Sequence, residues 1–425
     1  DGRPAPVPLP ELPVPVRWVC SPQGWDDRYS LQRTAARRWH PQGWRGGLGG
    51  ATCYDELLPA APLLHALEQT DHSSALLLGP DWPLVDPTLC ARVLELHLQH
   101  PQAMQMTFTQ APPGLAGIAL SHELLAQLAQ NPGSTLGQVM AYHPQRPQAD
   151  PIGKDVCIQI DPRVRSLTQR LIYDLPRSSQ LIDALAQPLD SRLLSVDAQQ
   201  VVAAVESLLD SRPAGEPAPR QVTLELTPQR THMGPLAPPY HVPALLLRGP
   251  MDTALACRLI EQIARFPTGD TALLLGGLGD ALLHPDWPTL VQTARQSGIF
   301  ALGVQTDLQV DAAVVTALLE AGVDLVQVHM SADTAATYAQ VMGSGGFEAL
   351  LDRMQQLLSE RQARAQVDTN LPAGLPWVLP TLTKTHATLP EMEAFFDRWT
   401  YFCGHAVIAP AGNGCGLMPT LEPVN

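Results

Sequence analysis

Short apolar runs alternate with longer stretches of helical periodicity along most of the chain. Ser74-Ala75-Leu76-Leu77-Leu78-Gly79 is too short for a helix and ends in a turn, which predicts a buried strand. Thr88 to His97 has helical spacing, Gln105 to Thr109 reads as a second strand, and a helix is expected from Ser121 to Gln130. Further on the alternation becomes regular. Strands are predicted near 222–226, 272–276, 300–305, 325–329, 377–382 and 405–408. Between them lie helical patterns at Thr253–Phe266, Trp287–Gln296, Ala312–Ala321, Phe347–Glu360 and Pro390–Trp399. The chain is therefore of α/β class. Its first half predicts a parallel or mixed sheet, and its second half the six βα units of a partial (βα)6 barrel. Right-handed crossovers then bring every strand end of the barrel to one rim.

The punctuation divides the chain. Ser211 to Pro219 has turn formers and no apolar face, so a linker is expected over 210–220. It separates a domain at 41–209 from the barrel at 221–425, and residues 1–40 form a Pro-rich leading segment. A length of 425 residues with 45% hydrophobic side chains suffices for two cores. The net charge of -14 argues against a nucleic-acid backbone or an anionic membrane as partner. No apolar run reaches the roughly 18 residues needed to span a bilayer. Seven cysteines without a CxxC spacing suit reduced thiols, and a cytoplasmic location is expected.

In the first half the chemistry-bearing residues are acidic. The strand at 74–79 runs into Pro80-Asp81-Trp82-Pro83-Leu84-Val85-Asp86-Pro87. A strand followed by this pattern resembles the centre of a nucleotide-diphosphosugar (GT-A-like, Rossmann-like) transferase, particularly the cytidylyltransferase-like group. The resemblance implies a divalent cation, Mg²⁺ or Mn²⁺, held by Asp81 with Asp86 as a second ligand, since a hard cation takes carboxylate oxygen. Alternatively, Asp81 caps the following helix or orders the Pro-rich turn. The family's phosphate-gripping loop finds its nearest counterpart in Arg45-Gly46-Gly47-Leu48-Gly49-Gly50. There Gly46, Gly47, Gly49 and Gly50 let backbone amides approach a phosphate beside Arg45, although such loops also occur simply as tight turns.

In the second half three blocks recur at strand ends. They are Gly276-Gly277-Leu278-Gly279-Asp280-Ala281-Leu282-Leu283-His284-Pro285, Gly303-Val304-Gln305-Thr306-Asp307, and Ala321 to Ser331 followed by Asp333. Together these resemble the radical-SAM sequence "GGxGEPLLHP … TNG … SxD". With the GT-A-like first half, the order of domains is similar to that of spiro-SPASM proteins, over roughly residues 40 to 415. The resemblance implies a [4Fe–4S] cluster on CxxxCxxC in the loop after the first barrel strand, with S-adenosylmethionine chelated to it. Here that loop, Pro228 to Pro239, contains no cysteine, and its equivalent positions are Arg230, Gly234 and Ala237. Soft thiolates are what the cluster irons require. Cluster and S-adenosylmethionine are therefore expected to be absent. Gly276, Gly277, Gly279, Asp280, Thr306, Ser331 and Asp333 remain as candidate ligand-binding residues. Ser331 and Asp333 either meet a ribose or cap the next helix.

The leading expectation is a pseudo-enzyme of the radical-SAM superfamily, binding a protein partner or a small ligand. Two alternatives stand beside it. One is a metal-dependent nucleotidyltransferase or sugar-nucleotide-binding protein acting through Asp81, and the other a radical enzyme whose cluster ligands come from another chain.

Overall fold

The computed structural model describes Val19, residues 37–39, 58–100, 104–130, Leu136, 157–189, 196–211, 218–365, 374–404, 406–413 and 416–419. Arg45, Gly46, Gly47, Gly49 and Gly50 lie outside these residues, as do Cys20, Cys53 and Cys415.

Two sheets form. The first contains β1 (Ser74–Leu77), β2 (Met106–Thr109), β3 (Ile118–Ser121) and β4 (Cys157–Ile158), in the order β1-β3-β2-β4. Strand β3 runs antiparallel to both neighbours while β2 and β4 are parallel, so the sheet is mixed. β3 is not apparent from the sequence because it passes directly into the helix His122–Gln130, whose start Ser121 Oγ caps by accepting from Leu124 N at 3.2 Å. That helix and Ala60–Thr70 bury Leu67, Leu124, Leu125 and Leu128 against the sheet residues Met106, Phe108 and Leu120. Helices Pro176–Leu189 and Ala198–Asp210 gather around a second core containing Leu84, Leu115, Leu171, Leu185 and Val201.

The second sheet is wholly parallel, with its strands adjacent in chain order: β5 (Gln221–Leu224), β6 (Ala272–Leu275), β7 (Ala301–Thr306), β8 (Leu325–His329), β9 (Trp377–Lys384) and β10 (Val407–Pro410). It curls into a six-stranded half-barrel. Alternation along each strand assigns its faces. Leu273, Leu275, Leu302, Val304, Val326 and Val328 point outward onto Ile260, Leu290, Leu318 and Leu350 of the helices. Each of these fully buried side chains contributes on the order of 2 kcal/mol through loss of apolar surface to water. Ala272, Ala301, Leu325, Trp377 and Leu379 point inward and close the lower interior around Trp39. Gly303 faces that indole, and a Cβ there would stand 3.0 Å from it.

The helices begin where local chemistry allows. Asp252 caps Thr253–Ala264 by accepting from Leu255 N at 2.9 Å, and Asp197 forms a reciprocal capping box with Gln200. The two halves meet through Arg177, whose Nε stands 2.8 Å from the buried Asp270 carboxylate and whose Nη2 donates to Ala218 O at 2.8 Å. Among the described residues no helix is long and apolar enough to cross a membrane.

Candidate functional site at the open end of the half-barrel

Parallel register stacks the residues of neighbouring strands in layers. Leu224 pairs with Leu275, Leu275 with Val304, and Gln305 with Gln327, which in turn pairs with Leu379. One step beyond the Leu224–Leu275 and Leu275–Val304 pairs, Glu225 and Gly276 therefore join Gln305 and Gln327 in a single polar layer, bordered by Leu379, above the apolar floor. The next layer up holds Asp307, His329 and Thr381, and Arg230 reaches into it from the loop after β5.

This upper layer closes on itself. Arg230 Nε donates to Asp307 Oδ2 at 2.8 Å, Nη2 lies against Oδ1, and Nη2 also meets His329 Nδ1 at 3.2 Å. The Arg230 side chain is 9% exposed and that of Asp307 is fully covered. Burial alone would raise the Asp307 carboxyl, but the guanidinium overrides it and holds the acid below the ordinary range. His329 is pushed down to about 4, first by burial and then by the Arg230 cation, so its ring is neutral at physiological pH. Asp280 lies behind the pair. Its Oδ1 accepts from Leu282 N, and its Oδ2 accepts from Thr306 Oγ1 and Asp307 N, all at 2.9 Å. Burial and the neighbouring Asp307 charge raise this carboxyl to about 7.

The other glycine-loop candidates are drawn into the same closure. Gly277 N donates to Gln305 Oε1 at 2.9 Å, Leu278 N to Glu225 Oε2 at 3.1 Å, and Asp280 N to Gln229 O at 2.8 Å. A Cβ on Gly279 would stand 2.0 Å from Thr227 O, so the loop rests directly on the backbone after β5. Backbone amides that a Gly-rich loop offers to a phosphate are here engaged within the protein.

The loop from Arg230 to Pro239 does not fit an iron–sulfur cluster. The three positions that the sequence resemblance sets against cluster cysteines, Arg230, Gly234 and Ala237, hold a paired cation, a glycine without room and a covered methyl. A Cβ on Gly234 would lie 2.2 Å from the Met342 carbonyl carbon and 2.3 Å from Val341 O. Ala237 is 2% exposed and leads into the single helical turn Pro238–His241. His232 is hydrogen-bonded to Ser344 Oγ and stands edge-on to Tyr338. Cys403 is fully buried and burial pushes its thiol up to about 12, while Cys257 Sγ contacts Thr293 Oγ1 at 3.5 Å. Among the described residues no three His, Cys, Asp or Glu side chains are placed to hold a metal ion.

Past β8 the expected capping is corrected. Helix Ala335–Met342 is capped by Thr334, which accepts from Thr337 N, and not by Ser331 or Asp333. The cap falls there because Glu391 gathers the segment, accepting from Asp333 N, Thr334 Oγ1 and Thr337 Oγ1 at 2.5–2.7 Å. Asp333 faces Arg398 at 3.3 Å through Oδ2, and its buried Oδ1 has no hydrogen-bond partner among the described residues. Ser331 is buried in a left-handed conformation with φ 61°.

In the first half the cap of Pro87–Gln99 is Asp86. Its Oδ1 accepts from Thr88 N and Leu89 N, and its Oδ2 from Ala198 N at 2.9 Å. Asp81 sits in the preceding turn, with Arg37 Nη1 3.9 Å away and its side chain 29% exposed. The structure therefore separates the two acids by role and by burial.

Sequence reasoning passed over Glu225, Gln305, Gln327 and His329. Their signal was a polar residue near the C-terminal end of successive apolar strands, a position that a parallel sheet otherwise fills with Val, Ile or Leu.

No family model matches the chain, and no curated protein matches it. Among solved structures it is similar to Streptococcus suis SuiB bound to precursor peptide SuiA, at 12% identity and a TM-score of 0.38, covering 63% of this chain and 60% of that one. Against SuiB bound to S-adenosylmethionine the values are 13% and 0.37, with the same coverage. Against BtrN in complex with AdoMet and 2-DOIA they are 17% and 0.24, covering 31% of this chain and 50% of BtrN. The chain thus spans 50–60% of the length of these proteins, and nothing about its activity follows from likenesses of this size.

Proposed function

We propose that this chain is a radical-SAM-superfamily relative whose half-barrel binds a ligand or partner without an iron–sulfur cluster and without generating a radical. The observation that carries the reading is the Arg230–Asp307 pair, a buried guanidinium at the position equivalent to the first cluster thiolate. A fixed cation repels iron, and its removal would leave an unpaired buried acid, which supports this reading. Steric crowding at Gly234 supports the same reading, because a cysteine side chain has no space there. Anaerobic reconstitution with iron and sulfide tests it. Background iron content and no cluster absorbance are expected, whereas a stable four-iron cluster overturns the proposal.

A second reading rests on Asp81. Unlike Asp86, it retains an exposed carboxylate surface, and the strand-to-turn context that resembles nucleotide-diphosphosugar transferases surrounds it. Under this reading Asp81 holds Mg²⁺ or Mn²⁺ against the phosphates of a nucleotide. Calorimetry with CTP, UTP or GTP plus Mn²⁺ discriminates, and an absence of heat with all three removes it.

A further inference from the structure

The Arg230–Asp307 pair of the upper layer is closed, but the His329 ring beside it and the layer beneath have hydrogen-bonding capacity to spare. Gln305 and Gln327 are directly paired across β7 and β8, and Gln305 Nε2 donates to Gln327 Oε1 at 2.9 Å. Gln327 Nε2 continues to Thr381 Oγ1 at 3.3 Å. A carboxamide nitrogen carries two protons, so each glutamine keeps one N–H that no described residue receives. Both side chains are only partly buried.

His329 adds a third donor. Its Nδ1 faces Arg230 Nη2, and a guanidinium has only protons to give, so Nδ1 accepts and the ring proton resides on Nε2. Acceptors alternate with these donors, from the carboxamide oxygens and from the exposed Thr223 hydroxyl on the inner face of β5. The formal charges of the wall are matched internally, Asp307 by Arg230 and Glu225 by Arg248. Leu379 borders this layer, and below it Trp377, Leu325 and Trp39 form an apolar floor.

We infer that the inner wall formed by Thr223, Gln305, Gln327 and His329 is a binding site for an uncharged polyhydroxyl ligand of sugar size. Neutral donors and acceptors in alternation match hydroxyl groups, which both give and receive. A charged ligand finds no unmatched counter-charge and loses its hydration on entry. The packing around Gly276 holds the wall in this form: a Cβ there would lie 2.3 Å from Gln305 Oε1 and 2.6 Å from Gln305 Cβ, so glycine lets that side chain lie flat across β6.

The inference deepens the proposal of a cluster-free, ligand-binding half-barrel, and its test is separate from iron reconstitution. Saturation-transfer NMR on the full chain compares sorbitol with its cationic and anionic counterparts glucamine and gluconate, together with glucose and N-acetylglucosamine. Transfer to the neutral compounds alone is expected, weakened about tenfold in Gln305→Met and in Gln327→Met, as for loss of a well-formed hydrogen bond. His329→Phe is expected to weaken it similarly and His329→Gln to retain it, with unchanged circular dichroism showing that the variants are folded. Stronger transfer to glucamine or gluconate overturns the assignment. So does silence from all five compounds, or neutral binding that the glutamine variants leave untouched. If polyols bind but a cluster also assembles, the cluster-free reading fails and this one stands.

Discussion

Two adjacent layers of one half-barrel, separated by a single step of the strands, have opposite characters. In the upper layer Arg230, Asp307, Asp280 and Thr306 saturate one another and are almost completely covered. In the lower layer Gln305 and Gln327 form a ladder with unused donors and partial exposure. The contrast teaches that the loop after β5 is the internally bonded part of this rim, while the polar groups with unused donors belong to the strands. Charge explains the division. A buried ionic pair must satisfy every oxygen and proton it brings, because an unmatched charge in that setting is costly. Carboxamides tolerate a partly wet surface.

The sharpest way to break the comparison is to remove one partner of the upper layer. Arg230→Ala leaves Asp307 buried and unpaired and is expected to cost about 3–5 kcal/mol in urea unfolding. Combining Arg230→Met with Asp307→Leu should recover most of that loss, since well-packed apolar replacements of a buried pair are often neutral. If the single variant proves harmless, the layer is not closed as described.

Crowding gives the next effect. Gly234→Cys is expected to destabilise by roughly 1–3 kcal/mol, the usual range for overpacking, because backbone atoms of Met342 and Val341 cannot yield as a flexible side chain can. Thermal unfolding measures this, and a rise in stability would show that the loop can move aside.

Acidity sharpens the comparison further. His329, with a folded pKa near 4 against a usual 6.5, contributes stability that is present above pH 6.5 and lost as pH falls toward 4. Asp280, raised to about 7, has the opposite sign: its ionised form is penalised in the fold above pH 7, and acidification relieves that penalty. The two oppose each other between pH 4 and 6.5, which predicts a shallow native profile in that window. In His329→Gln the Asp280 contribution is left alone, and stability should rise on acidification from 7 toward 4 by on the order of 1 kcal/mol per pH unit. Urea midpoints at several pH values check both profiles.

The smallest stability change is expected in the lower layer. Gln327→Met should alter unfolding by less than about 1 kcal/mol, because a partly exposed neutral hydrogen bond contributes little net. A large loss on urea unfolding would make the ladder a structural element equal to the layer above it.

Much of this architecture is legible in the order of residues. Several barrel strands announce themselves as apolar runs, as Ala272-Leu273-Leu274-Leu275 does, and most helices between follow from their periodicity. Boundaries are less legible. A strand near 222–226 is expected from the sequence, but β5 ends at Leu224, and Leu226 O instead accepts from Met251 N at 2.7 Å. β3 escapes notice because four residues next to a strong helix carry no pattern of their own. At the site, Asp280 and Thr306 stand out as motif residues, yet the motif does not reveal that they bond each other across 26 positions. Ser331 and Asp333 suggest capping, but Glu391, far along the chain, moves the cap to Thr334.

By itself the sequence determined most of the strands of the parallel sheet and the helices between them, because alternation and helical period are properties of neighbours. It also determined that the loop after β5 brings no cysteine, since that is a matter of composition. Only the tertiary structure decided which partners Arg230 meets and which polar groups remain open. Those outcomes depend on register between strands and on contacts across 77 or 99 positions, such as those joining Arg230 to Asp307 and His329. Whether a polar side chain is a bolt or a binding group depends on the partners it meets, and those partners are brought together only when the sheet curls.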